Sequence, residues 1–342
     1  MSFNVLNKSG DVLFGVDNDE SIIDAAIKHD VALSYGCRKG VCGACKCKIH
    51  QGNVEYKEGQ PDLLTDKDII NDQALLCVAH LSEDITIDFV PPEEDELDIE
   101  IKTLPAKIKL LKKLNHDVVQ LILKLPESEK EFIFHAGQYV EFILKDGQRR
   151  AFSIANVPNK ENTLEFHIRH VPDGEFTSFV FNELKESSLV RFEGPFGSFY
   201  LREKSDKPII MICGGTGFAP LKGLMEQYIN SSSKGNRQIY FYWGARKAED
   251  LYMENLPNEW KNSLEKFQYT PVLSDVSVED NWQGKTGFVH EVAIKDHPDM
   301  SQFEVYMCGP PAMINAAKEE FMANGLEENS VYFDSFEFAA KK

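Results

Sequence analysis

Cys37, Cys42 and Cys45 stand in the pattern C-x4-C-x2-C, and Cys77 follows after thirty-one intervening residues. Thiolates at that spacing ligate a plant-type [2Fe–2S] cluster. Gly36, Gly40 and Gly43 are interleaved with the first three ligands, so the loop can turn tightly and aim its backbone N–H groups at the cluster sulfurs. A zinc site usually draws on two close ligand pairs, whereas here three ligands share one loop and the fourth is distant. The spacing therefore favours the cluster over zinc or free thiols. The neighbouring Cys47 reads as a spare buried thiol.

A second group of residues suits a dinucleotide. The apolar run Ile209 to Cys213 leads into Gly214-Gly215-Thr216-Gly217-Phe218-Ala219-Pro220. Glycines bring backbone amides close to a pyrophosphate, and Pro220 fits the first turn of a helix whose N-terminus attracts the anion. The string is not a full G-x-G-x-x-G fingerprint, and a tight strand-to-helix turn in any α/β protein would read similarly. Cys308-Gly309-Pro310-Pro311 ends a later apolar run, where a buried cysteine is ordinarily inert packing.

Several longer strings resemble known proteins. YGCRKGVCGACKCKIHQG resembles the ferredoxin domain fused to bacterial flavoprotein reductases. Gly137-Gln138-Tyr139 with Arg149-Arg150-Ala151-Phe152-Ser153 resembles the flavin signature of the ferredoxin–NADP reductase superfamily. The resemblance implies that Arg150 forks onto pyrophosphate oxygens, that Phe152 covers the isoalloxazine in place of the family's usual tyrosine, and that Ser153 hydrogen-bonds near flavin N5. Taken alone, R-x-F-S reads as an ordinary exposed arginine beside a half-buried strand. HIRHVPDGEFTSFVF resembles the family's phosphate-binding turn, with Gly174 permitting the bend and Glu175, Phe176 and Thr177 opening a helix toward the pyrophosphate. Glu193-Gly194-Pro195-Phe196-Gly197 closes the same domain as it does in the family.

By the same resemblance, Cys308, Gly309 and Pro310 lie beside the nicotinamide, with Cys308 an active-site thiol that helps orient its C4 over flavin N5. Asp334-Ser335-Phe336 matches an acidic-x-aromatic ending in which the ring covers the flavin until nicotinamide displaces it. Ser274-Asp275 lies where NADPH-using relatives carry serine and arginine for the 2′-phosphate. An aspartate would repel that phosphate, which argues for NADH.

Three kinds of scaffold are needed to hold these groups. Short alternating runs at residues 3–6, 11–14 and 85–89 flank one helical pattern, Ser21 to Lys28, and imply a small mixed sheet. Between Ile101 and Arg202, regularly spaced strand patterns at 107–111, 118–123, 139–144, 164–169 and 189–193 imply an antiparallel barrel. From Pro208 onward strands at 209–213, 238–243, 268–273 and 304–308 alternate with helices, including those from Ala219 and Pro311, which implies a doubly wound parallel sheet. The expected fold is multidomain: an α+β ferredoxin-like (β-grasp) [2Fe–2S] domain at 1–92, an acidic linker at 93–100, an antiparallel β-barrel FAD domain at 101–203 and an α/β doubly wound NAD-binding domain at 204–342.

Composition narrows the function classes. At 342 residues, with 42% apolar and 27% charged positions, the chain is long enough for two or three cores. Its formal charge is −18, with −7 in residues 1–90 and −6 in PPEEDELDIE at 91–100. Such a field repels phosphate backbones and steers a partner with a basic face toward the N-terminal region. The same acidity also suits simple solubility. No apolar stretch is long enough to cross a bilayer and no leader pattern stands at the start, so the expected setting is the cytoplasm. Seven cysteines, four of them within residues 37–47, speak for metal or redox chemistry over disulfides.

Joined in one chain, the three modules read as a two-to-one electron transformer: NADH gives a hydride, a flavin takes two electrons and releases them singly, and the iron–sulfur cluster accepts one. No residue distinguishes FAD from FMN, and ferredoxin-fused relatives generally use FAD. Within the superfamily the strings GQRRAFSIANVP, GGTGFAPLKG and TGFVHE resemble the reductases that serve CDP-sugar dehydrases. That implies a protein electron acceptor, a sugar dehydrase or, alternatively, an oxygenase component. A redox sensor or electron carrier without turnover is the reading from another class.

Overall fold

The computed structural model describes residues 2–89, 99–128, 132–232, 234–277 and 281–336. Residues 93–98 of the expected acidic linker lie outside them, as do the six residues after Phe336. The chain divides into two compact units, Met1–Ile99 and Glu100–Lys342.

In the first unit, alternation sends Val5, Phe14 and Val16 inward from the antiparallel strands Ser2–Leu6 and Val12–Asp17. Ser2–Leu6 then pairs in parallel with Ile85–Ile87, and Lys46–Gln51 and Gln73–Leu75 complete a five-stranded sheet. The helix Ile22–Lys28 starts where Ser21 accepts a hydrogen bond from the Asp24 N–H, and it buries Ile22, Ile23, Ala25 and Ala26 against the sheet. A helix across a mixed sheet whose first and last strands run parallel is the β-grasp arrangement. The short helix Asp66–Ile70, capped by Thr65, was not legible from periodicity because none of its residues is buried.

In the second unit, six antiparallel strands follow one another around a barrel: Arg149–Ser153, Tyr139–Ile143, Leu189–Phe196, Lys102–Lys113, Val118–Lys124 and Thr163–Arg169. A hydrogen bond of 2.8 Å from Ala155 N–H to the Glu165 carbonyl joins the two end strands. Phe142, Phe166 and Phe192 fill the interior. The fourth strand begins five residues before the sequence pattern suggested, running through Pro105 with Leu104, Ala106 and Ile108 facing in.

The remainder is a six-stranded sheet, all parallel, in the spatial order Lys285–Thr286, Phe267–Leu273, Ile239–Ala245, Ile209–Gly214, Glu304–Gly309 and Val331–Ser335. The run Ile209 to Cys213 is apolar throughout because both faces are covered: Ile209, Met211 and Cys213 enter one core layer, Ile210 and Ile212 the other. Strand order reverses between the strands ending at Gly214 and Gly309, and that crevice is where open α/β sheets bind ligands.

Candidate functional site

In the first unit the four cysteines converge. The thiols face one another in two pairs, Cys37 with Cys42 and Cys45 with Cys77. Among the described residues, the group of three ligand atoms lying within 4.8 Å of one another is His116, Asp117 and Asp250, elsewhere in the chain. Two pairs are what a binuclear cluster requires, one pair for each iron.

Backbone N–H groups already serve these sulfurs: Lys39 donates to Cys37 Sγ at 3.4 Å, Cys37 to Cys42 Sγ at 3.4 Å and Gly40 to Cys77 Sγ at 3.3 Å. The hydrogen bond from Cys42 brings the Cys37 thiol down to about 6 against its burial, with the Lys39, Val41 and Cys42 N–H groups adding to the effect. Gly40 and Gly43 take φ of +73° and +81°, as their place in the loop implies, but Gly36 does not; the third left-handed residue is Arg38, at φ +57°. Its guanidinium is ion-paired to Asp24 at 2.6 Å, while its backbone takes the left-handed conformation that is uncommon for residues other than glycine. Cys47 stands apart, its thiol donating to the Asp88 carbonyl and raised to about 11 chiefly by burial.

In the second unit, Arg150 and Phe152 lie on one side of the strand Arg149–Ser153 and Ser153 on the other. The Phe152 ring packs 5.3 Å from Phe176, bringing the R-x-F-S strand and the GEFTS helix together. Arg150 donates to the Arg149 carbonyl and to Gln148 Oε1, and Tyr139 packs 5.6 Å from Phe196. The helix Glu175–Asn182 starts at Gly174, which has no side chain to cap it, and a helix N-terminus is where an anion binds.

Two details differ from expectation. Gly174 has an ordinary φ, and the left-handed residue of the turn is Asp173 at +61°; glycine is needed because a Cβ would stand 2.7 Å from Thr177 Oγ1. The Thr177 hydroxyl is occupied in closing the turn, accepting from Val171 N–H at 3.1 Å.

The nicotinamide elements meet at the crevice. Gly215 to Gly217 form a single 3-10 turn that continues directly into the helix Phe218–Asn230, with Pro220 in its first turn. Gly217 lies against the next strand so closely that a Cβ would come 2.1 Å from the Cys308 carbonyl oxygen. Strand register sets Cys213 opposite Cys308 and Cys308 opposite Asp334, and Phe336 N–H donates to the Gly309 carbonyl at 2.9 Å. Asp334 Oδ2 accepts a 2.8 Å hydrogen bond from Ser153 Oγ. Cys308 is fully buried, and burial, with Asp334 nearby, holds its thiol protonated. Ser274 and Asp275 are exposed at a neighbouring strand end, held by hydrogen bonds to the Ala245 and Arg246 carbonyls at 2.9 and 3.0 Å. Pro310 caps the helix Pro311–Ala323.

Arg169 was not singled out from sequence, although it lies inside the quoted HIRHVP string. Its guanidinium stands where a Cβ on Gly215 would fall, 2.8 Å from Nη1, and it is ion-paired to Asp117 at 3.1 Å. Buried Nη2 has no hydrogen-bond partner among the described residues. A spare guanidinium donor beside a glycine turn and an uncapped helix start fits a dinucleotide pyrophosphate.

The folds and donor sets together define an oxidoreductase with iron–sulfur, flavin and nicotinamide sites. Residues 6–82 match the 2Fe-2S iron-sulfur cluster binding domain, 105–200 the oxidoreductase FAD-binding domain and 211–319 the oxidoreductase NAD-binding domain. The chain is 38% identical to a CDP-6-deoxy-L-threo-D-glycero-4-hexulose-3-dehydrase reductase of Yersinia pestis, over 98% of this chain and 99% of that one. It is 32% identical to the reductase component of a Pseudomonas phenol 2-monooxygenase, over 99% and 96%. Among solved structures, the Amycolatopsis reductase GcoB superposes with a TM-score of 0.78 at 27% identity, covering 98% of both chains. The chain belongs to the ferredoxin-fused flavoprotein reductases of the ferredoxin–NADP reductase superfamily. It transfers electrons from a nicotinamide nucleotide through FAD and a [2Fe–2S] centre to a partner protein. No helix among the described residues is long and apolar enough to cross a membrane.

Proposed function

We propose that this chain is an NADH-dependent reductase that supplies electrons to a CDP-sugar dehydrase, as reductases of the CDP-6-deoxy-3,4-glucoseen type do. The observation that carries the choice of partner is the 38% identity with the Yersinia dehydrase reductase, at near-complete coverage of both chains. The second reading, an oxygenase reductase component, is supported by 32% identity at similar coverage.

Bound together, nicotinamide, FAD and cluster supply hydride donation, two-to-one electron splitting and single-electron delivery. Cys37, Cys42, Cys45 and Cys77 hold the cluster. Tyr139, Arg150 and Phe152, with the Gly174–Thr177 helix start, hold the flavin. Ser153 Oγ donates its proton in a hydrogen bond to Asp334, and with the flavin bound this hydroxyl would serve N5. Gly214 to Gly217, Pro220, Gly309 and Pro310 let the nicotinamide dinucleotide approach the backbone, and Cys308, a protonated thiol, shapes the nicotinamide end. Phe336 covers the flavin face. Exposed Asp275, beside Ser274, disfavours a 2′-phosphate and so favours NADH. A cytoplasmic setting suits seven unbridged cysteines.

The test is reconstitution. With NADH, the purified chain and a CDP-4-keto-6-deoxyhexose dehydrase, deoxygenated sugar should form; turnover with a phenol hydroxylase oxygenase and none with the dehydrase would establish the second reading instead.

A further inference from the structure

One buried cation has no part in the site described so far. Lys222, 5% exposed, lies on the first turns of the helix Phe218–Asn230, which the Gly214–Gly217 turn opens. Its ammonium has three donors and three acceptors: Ala155 O at 3.0 Å, Glu165 Oε2 at 3.0 Å and Glu226 Oε1 at 2.7 Å. Two of these belong to the barrel. Ala155 is two residues beyond Ser153, and Glu165 lies on the strand Thr163–Arg169.

We infer that Lys222 is a positioning residue for hydride transfer, pinning the strand that carries Ser153 to the helix that carries the nicotinamide turn. The inference rests on the proposed roles of Ser153 and of Gly214 to Gly217.

The packing around Lys222 explains why a cation is used there. The next residue, Gly223, lies directly against the barrel segment: a Cβ there would be in van der Waals contact with the Ile154 carbonyl oxygen at 3.4 Å and the Ala155 carbonyl carbon at 3.5 Å. An apolar side chain beside such a contact would fill space but leave the helix able to slide, whereas three directed hydrogen bonds fix one register. Glu165 carries the constraint onward: it also accepts from Gln120 at 2.7 Å, and its Oε1 lies 2.9 Å from His167 Nε2. His167 Nδ1 meets the Tyr252 hydroxyl at 3.0 Å, and the Tyr252 ring stands edge-on to Trp243 at 5.2 Å. Trp243 Nε1 donates to the carbonyl of Gly215 at 3.0 Å. A continuous chain of contacts thus runs from the segment after Ser153 to the nicotinamide turn.

Lys222→Met alone would leave Glu165 buried without its cation, so the decisive variant is Lys222→Met/Glu165→Gln, which removes these two charges and leaves the third group, Glu226, with its side chain 29% exposed to solvent. The FAD- and cluster-loaded full chain is mixed anaerobically with a range of NADH concentrations, and flavin bleaching is followed. The limiting rate constant should fall by about tenfold or more, the size of effect that small misplacements of reacting groups produce, with FAD content unchanged and the apparent Kd for NADH within about threefold. A limiting rate within about twofold of the parent, or a loss confined to FAD content or to Kd, would overturn the inference. Ser153→Ala, measured alongside, separates this outcome from failure of the site reading: if it also bleaches at the parent rate, the assignment of the flavin site fails instead.

Discussion

Ser153 Oγ donates a 2.8 Å hydrogen bond to Asp334 Oδ2, tying the end of a barrel strand to the last strand of the parallel sheet across 181 residues of sequence. Both side chains are drawn from strand ends that meet where flavin and nicotinamide are expected to react. The pair therefore ought to affect the chemical step more than binding. Ser153→Ala and Asp334→Ala should each slow flavin reduction by NADH by about tenfold or more, with cluster content intact, in anaerobic stopped-flow. Parent-like rates in both would remove the pair from the mechanism.

Cys77, proposed as the distant fourth ligand, is reached by the Gly40 N–H at 3.3 Å. Cys77→Ser should abolish iron and acid-labile sulfide while FAD stays bound, because the flavin residues belong to the other compact unit. That variant should still reduce ferricyanide with NADH but not cytochrome c. Cytochrome c reduction at the parent rate would show that electrons leave elsewhere.

Asp275 should set nucleotide choice. The parent is expected to show a higher kcat/KM with NADH than with NADPH, and Asp275→Ser should narrow the gap by relieving repulsion of the 2′-phosphate. An unchanged ratio in the variant would exonerate the aspartate.

Gly217→Ala places a methyl group against the Cys308 carbonyl, at a contact of 2.1 Å before relaxation. Overpacking of this kind costs about 1–3 kcal/mol. A lowered Tm together with a raised KM for NADH is expected, and a variant with the parent's Tm would mean that the turn yields freely.

Burial pushes Glu165 up from 4.5, but the His167 hydrogen bond and the Lys222 ammonium outweigh it and bring the carboxyl to about 2. A depressed carboxyl stabilises the fold above its unfolded pKa, and that stability is lost as pH falls from about 4.5 toward about 2. The contribution is on the order of 3 kcal/mol. His167, lowered by burial, acts in the same direction from its ordinary 6.5 downward, since the unfolded chain takes up that proton first. Thermal melts between pH 7 and 3 should therefore be steeper in pH for the parent than for Glu165→Gln. Identical slopes would show that this carboxyl keeps an ordinary pKa in the folded chain.

Whatever is local was legible in the order of the residues. The C-x4-C-x2-C loop, the glycine turn after Ile209 to Cys213 and the alternating barrel strands each follow from spacing within a few residues, because ligand geometry, positive φ and strand pleat act over that range. Contacts across long stretches of chain were decided only by the tertiary structure. Parallel register sets Asp334 beside Cys308, and barrel packing brings Ser153 to Asp334 and Lys222 to Glu165. Arg169 next to Gly215 is of the same kind, for nothing near it in sequence names its partner. Sequence spacing encodes which residues an element presents, but which element faces it depends on strand order and on how the core closes, and these follow from the burial of the whole chain at once.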